Sequence, residues 1–121
     1  MKKTILCVCD SASMRLLLAH ALRDERYNII TSPDGNKALA RVETTQVDLV
    51  LTDLIQPGTD GIEFTRNFRA KQRYKFTPVL IMTAGSQDSR KDEGEKAGVS
   101  GWIAKPFTAE KLKTIVKQFV C

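Results

Sequence analysis

Val47-Asp-Leu-Val-Leu-Thr-Asp53, followed by Leu-Ile-Gln-Pro-Gly-Thr-Asp-Gly61, is the stretch on which the fold turns. Val47 to Thr52 is short, apolar and carries β-branched residues, which predicts a buried strand. That strand delivers a carboxylate, Asp53, at its carboxyl end. Pro57, Gly58 and Gly61 then make a loop before Ile62, Phe64 and Phe68 take up helical spacing.

The same unit recurs on both sides. Thr4 to Cys9 (TILCVC) predicts a strand, and Asp10-Ser11-Ala12-Ser13 supplies capping residues for a helix. In that helix Met14, Leu17, Leu18, Ala21 and Leu22 form one apolar face, with Arg15, Arg23 and Asp24 on the other side. A second strand, Tyr27 to Thr31, ends at the turn Pro33-Asp34-Gly35, and Ala38, Leu39 and Val42 outline the next helix. Pro78 to Thr83 (PVLIMT) and Gly101 to Ala104 (GWIA) predict strands four and five. Leu112, Ile115, Val116, Phe119 and Val120 give the cleanest amphipathic helix. Nearly continuous apolar strands alternating with helices predict an α/β protein with a parallel sheet covered on both faces. Ser86 to Ala97 breaks the pattern: it is polar, has Gly94 in its interior and offers no apolar stripe, so helix four is expected to be short, exposed and loosely held.

Length and composition agree with a single folded unit. The chain has 121 residues, 42% hydrophobic and 27% charged, with seven Gly and four Pro. These values exclude disordered and collagen-like classes. The apolar runs fall far short of the roughly 18 residues needed to span a bilayer, and no signal-peptide stretch follows Lys2-Lys3, so a cytoplasmic protein is expected with no membrane partner. Three cysteines are an odd number; with Cys7 and Cys9 too close for a good bridge, they read as free thiols in a reducing compartment. The net charge of +5 is modest and names no partner.

In open α/β sheets the working crevice lies beyond the carboxyl ends of the strands, which directs attention to Cys9-Asp10, Asp53, Thr83-Ala84 and Lys105. Two carboxylates, a hydroxyl and a lysine suit metal-assisted phosphoryl transfer: oxygen ligands for Mg2+, a carboxylate nucleophile, and donors for phosphoryl oxygens.

Taken together, Val8-Cys9-Asp10, Val50-Leu51-Thr52-Asp53 with Pro57 and Asp60-Gly61, Met82-Thr83-Ala84 and Lys105-Pro106-Phe107 resemble, in order and spacing along the whole chain, a response regulator receiver domain of the CheY type. The resemblance implies a flavodoxin-like, doubly wound (βα)5 fold with a five-stranded parallel sheet of order 2-1-3-4-5. It implies Asp53 as phospho-acceptor, Asp10 as a Mg2+ ligand, Ile55 as a ligand through its main-chain carbonyl, Lys105 as the cation on the phosphoryl group, and Thr83 as the hydroxyl that senses it. Trp102 takes the place of the family's aromatic switch residue. The expected function is that of a stand-alone receiver over residues 1–121, with no output domain, in a two-component phosphorelay. It would take a phosphoryl group from a sensor histidine kinase or phosphotransfer protein and signal to an output protein through helix four, strand five and helix five. Such a receiver is no enzyme in the ordinary sense, catalysing only its own phosphorylation and a slow dephosphorylation. A monomer or weak homodimer is expected, without nucleic acid.

Three positions depart from the family pattern. Cys9 stands where receivers usually carry a second acid, which should weaken Mg2+ binding; a thiol there could instead attract a soft metal or an oxidant. Ile55 and Gly85 replace residues that are often polar and that influence hydrolysis, so slow dephosphorylation is expected. The alternative function is a degenerate receiver that binds partners without phosphorylation. A flavodoxin-like cofactor binder is disfavoured because no Gly-rich phosphate loop follows strand one.

Simpler readings exist for several of these residues. Asp53 could be a loop carboxylate, Asp10 a helix cap, Thr83 a β-branched strand end and Trp102 a packing residue. His20 has no partner acid and receives no role. Arg66, Arg69, Lys71, Arg73 and Lys75 read as a solvated face at the end of helix three.

Overall fold

A computed structural model describes residues 2–56 and 58–120; Pro57 of the loop motif and Cys121, read above as a free thiol, lie outside them. Five strands, β1 (Lys3–Val8), β2 (Tyr27–Ser32), β3 (Leu49–Asp53), β4 (Val79–Thr83) and β5 (Gly101–Ala104), form one sheet. Each pair is parallel and the order is β2-β1-β3-β4-β5, as the resemblance implied. The helices are α1 (Ala12–Ala21), α2 (Gly35–Thr44), α3 (Gly61–Arg69), α4 (Lys91–Ala97) and α5 (Ala109–Phe119), with 3-10 turns at Gln72–Tyr74 and Gly85–Arg90. Among the described residues no helix is long and apolar enough to cross a membrane.

Strand alternation divides the core in two. Leu6, Val8, Val50 and Ile81 face a layer completed by Ala38, Val42, Ile62, Phe64, Phe68 and Ala97. Ile5, Cys7, Leu51, Leu80 and Met82 face the opposite layer, with Leu18, Leu22, Leu112 and Val116. With a side-chain period of two, one apolar run serves both layers at once.

Helix starts are fixed locally. Ser11, Asp34, Asp60 and Thr108 each accept a hydrogen bond from the amide three residues on, as their residue types predict for N-caps. Gly61 also allows a close approach: a Cβ there would sit 2.5 Å from the carbonyl oxygen of Asp53, so only glycine lets α3 begin directly against the end of β3.

Three details differ from the sequence reading. Leu17 is 50% exposed rather than packed, because α1 buries Leu18, Ala21 and Leu22 and turns Leu16 and Leu17 to solvent. Arg69 is not on a solvated face: its guanidinium donates to the carbonyls of Tyr74, Thr77 and Gly98, tying α3 to the next turn and to the end of α4. Helix α4 is short, as expected, but it is docked. Gly94 and Ala97 are buried, and the missing apolar stripe is replaced by a glycine surface on which Trp102 lies. Arg90, at the start of α4, pairs with Asp60 and Glu93, and Arg66 reaches Glu93 from α3.

Candidate functional site

The ends of β1, β3, β4 and β5 meet at one crevice. The register sets Val8 beside Thr52, Asp53 beside Met82 and Thr83 beside Ala104, so residues at or just past the strand ends converge. Backbone hydrogen bonds hold the exits: Cys9 N to Ser32 O at 3.0 Å, Leu54 N to Met82 O at 3.2 Å and Lys105 N to Thr83 O at 2.7 Å. The Lys105–Pro106 peptide is cis.

Asp53 is the centre of this arrangement and is 5% exposed. Its Oδ1 faces the Lys105 ammonium at 2.5 Å, while its Oδ2 accepts a hydrogen bond from the Cys9 thiol at 2.7 Å. A buried carboxylate needs such partners, since an isolated charge there would be costly. Asp10, by contrast, is exposed. One ligand atom from each of Cys9, Asp10 and Asp53 lies within 4.8 Å of the others.

Burial, followed by the hydrogen bond to Asp53, pushes the Cys9 thiol up to about 11. Burial also pushes Cys7 up to about 12. Both are free of disulfide and hold their protons at neutral pH. Arg15, one turn into α1, donates to the Cys9 carbonyl at 2.7 Å and so anchors α1 to the end of β1.

Thr83 is buried at the end of β4, on the strand next to Asp53. Ile55 is 57% exposed, directing its side chain away from the core. Trp102 on β5 is half-buried against the α2–α4 core layer, and its ring fits so closely on α4 that a Cβ at position 94 would lie 2.4 Å from it. The Lys91 ammonium sits 6.0 Å from the centre of that ring.

The structure therefore brings Cys9, Asp10, Asp53 and Lys105 together, with Thr83 on the adjoining strand end and Trp102 one strand further on. Three contributions escape sequence reasoning: Arg15 on the Cys9 carbonyl, the Cys9–Asp53 hydrogen bond, and Gly94 as the floor for Trp102. Each depends on a distance across the fold; only the run Cys9-Asp10 hinted at the second. A surface hollow between α1 and α5, lined by Leu22, Arg23, Tyr27, Lys113 and Lys117, lies near the amino-terminal end of β2 and holds none of these residues.

The donor set has room for a divalent cation. Mg2+ prefers oxygen, commonly takes one or two carboxylates and keeps several waters. Asp10 and Asp53 meet that requirement, with one oxygen fewer than an acid at position 9 would give.

Comparison with known proteins agrees with this geometry. The family model described as the response regulator receiver domain matches residues 5–117. The chemotaxis protein CheY of Pseudomonas aeruginosa is 37% identical over 115 residues, covering 94% of this chain and 93% of its own. Other relatives are longer: the transcriptional regulatory protein ResD of Bacillus subtilis is 39% identical, and the match spans 46% of it. Among solved structures, Vibrio cholerae CheY4 superposes with a TM-score of 0.93 at 34% identity, covering 99% of this chain and 100% of that one. The receiver domain of a Pseudomonas aeruginosa sensor histidine kinase, with a magnesium ion coordinated in its active site cleft, superposes with a TM-score of 0.87 at 27% identity and 98% coverage of both chains.

Proposed function

The chain belongs to the response regulator receiver family of two-component signalling, and from that premise we propose that it is switched by phosphorylation of Asp53. The observation that carries this reading is a carboxylate 5% exposed at a strand tip, with the Lys105 ammonium 2.5 Å from one oxygen and Asp10 alongside.

A phosphohistidine on a sensor kinase or phosphotransfer protein, or a small acyl phosphate, presents phosphorus to an Asp53 oxygen. The new O–P bond forms in line with the bond that breaks to the leaving nitrogen or oxygen. Lys105 neutralises charge on the transferring oxygens and is already in place, so little reorganisation is needed. Mg2+ would be held by Asp10, Asp53 and the Ile55 carbonyl, and when bound it supplies further neutralisation of phosphoryl charge. Oδ2 is engaged by the Cys9 thiol and Oδ1 by Lys105, and the neutral thiol hydrogen bond is the weaker of the two contacts.

Thr83 then draws toward the phosphoryl group, and Trp102 with the α4–β5–α5 surface shifts in population toward the form an output protein binds. Exposed Ile55 offers no polar group to orient attacking water, so the acyl phosphate decays slowly; decay within seconds would contradict this. We place the protein in the cytoplasm, where its kinase partners are reached and reduced thiols such as Cys7 and Cys9 persist.

The test is intact mass after incubation with acetyl phosphate and Mg2+, beside Asp53→Asn. One added phosphoryl mass, absent from the variant, is expected. The thiol on Oδ2 favours one competing reading, a receiver that binds its partner without phosphorylation, and no adduct even at high Mg2+ would establish it.

A further inference from the structure

Residue 9 changes what the crevice can hold. Its Sγ, an Asp10 oxygen and an Asp53 oxygen lie within 4.8 Å of one another, and Sγ already touches Asp53 Oδ2 at 2.7 Å. Asp53 Oδ1, in a side chain 7% exposed, is met by the Lys105 ammonium at 2.5 Å. A buried carboxylate held by one ammonium and one thiol, with a second carboxylate beside it, is a donor set that suits a cation.

From this we infer that the crevice selects a thiophilic divalent cation, of the zinc or cadmium kind, over magnesium. Zinc takes cysteine sulfur at about 2.3 Å and carboxylate oxygen at about 2.0–2.2 Å, commonly with three protein ligands and a fourth, open position. Exposed Asp10 has the freedom to close a set that is slightly wide for these bond lengths. A sulfur donor favours softer metals, whereas magnesium gains nothing from it. Charge balance points the same way. On binding, the cation replaces the thiol proton, which leaves to solvent, and three anionic donors are then offset by the dication and the Lys105 ammonium.

This inference rests on reading the crevice as a divalent-cation site, and the experiment separates the two. The full chain, reduced and metal-free, is titrated with Cd2+ while the thiolate-to-cadmium ultraviolet absorption is followed, and with Mg2+ by calorimetry, in wild type, Cys9→Ser and Cys9→Asp. Cys7 and Cys121 stay in all three proteins as internal controls. Expected is a charge-transfer band in wild type that both variants lose, with Cd2+ affinity falling at least about tenfold in Cys9→Ser, the least that losing a partner beyond the ligand shell already costs. Mg2+ should bind Cys9→Asp more tightly than wild type. A wild-type titration without the band, or a band that persists in Cys9→Ser, overturns the inference while bound Mg2+ keeps the cation site. If neither metal binds any of the three proteins, both readings fall. Should Cys9→Asp fail to fold, the Cys9→Ser comparison decides alone.

Discussion

The two sides of the crevice are held in place by different means. On the β1–β3 side, Asp53 is buried between a thiol at 2.7 Å and an ammonium at 2.5 Å, and its carbonyl oxygen sits against Gly61. On the β4–β5 side, Trp102 rests on a glycine, and α4 is tethered by the surface pairs Arg90–Asp60, Arg90–Glu93 and Arg66–Glu93. Buried polar contacts are costly to break, whereas an exposed ion pair such as Arg66–Glu93 contributes roughly 0–1 kcal/mol and is screened by salt. Asp53 is thus held by contacts costlier to break than any one of the α4 surface pairs.

That contrast can be broken at several points. The largest effect should come from Lys105→Met, which removes the cation beside Asp53. Phosphorylation by acetyl phosphate should slow by about 100- to 1,000-fold, the range set by loss of one preorganised electrostatic donor. Circular dichroism should remain native, and an unchanged rate would remove Lys105 from the chemistry. Arg69→Met comes next. It strips three carbonyls of a guanidinium donor and loosens the end of α4 from α3 and the Tyr74–Thr77 turn, so a loss of about 2–3 kcal/mol is expected in urea unfolding. If α4 were indifferent to its anchor, the midpoint would not move.

Gly94→Ala is a sharper probe of the same side. Alanine is worth up to about 1 kcal/mol over glycine inside a helix, yet its Cβ would meet the Trp102 ring at 2.4 Å. Overpacking should win, with a net loss of about 1–2 kcal/mol and red-shifted emission from this single tryptophan as the ring is expelled. Stabilisation with unshifted emission would show that the contact relaxes freely.

At neutral pH the smallest effect belongs to the thiols. Cys9 is raised from 9.0 to about 11 and Cys7 to about 12, so both keep their protons in the folded chain after the unfolded chain has released them. Stability is then fully present below about pH 9 and declines as pH rises through about 11 for Cys9 and about 12 for Cys7, because the folded state binds more protons than the unfolded one. Cys9→Ser should flatten that decline in pH-dependent melts. A slope the same as wild type would mean that the Cys9 thiol titrates normally.

Strand positions were legible because apolar runs such as Val79 to Met82 have no other use in a polar chain, and the site followed because strand ends in such sheets converge. What stayed illegible was packing without an apolar signature. Helix α4 looked unable to dock because Gly94 carries no side chain, although that lack is what the indole requires. Arg69 looked solvated because an arginine that serves backbone carbonyls has the same spelling as one that serves water. Cys9 read as the loss of an acid; only the distance to Asp53 shows the thiol as its hydrogen-bond donor.

The sheet's strict alternation also bears on how such a chain can diversify. Leu6 and Val8 belong to one apolar layer, Ile5 and Cys7 to the other, with the strand backbone between them. Substitutions in opposite layers that also lie more than about 10 Å apart should therefore add in cost. Core changes in the α1–α5 layer can therefore accumulate without drawing on the tolerance of the α2–α4 layer.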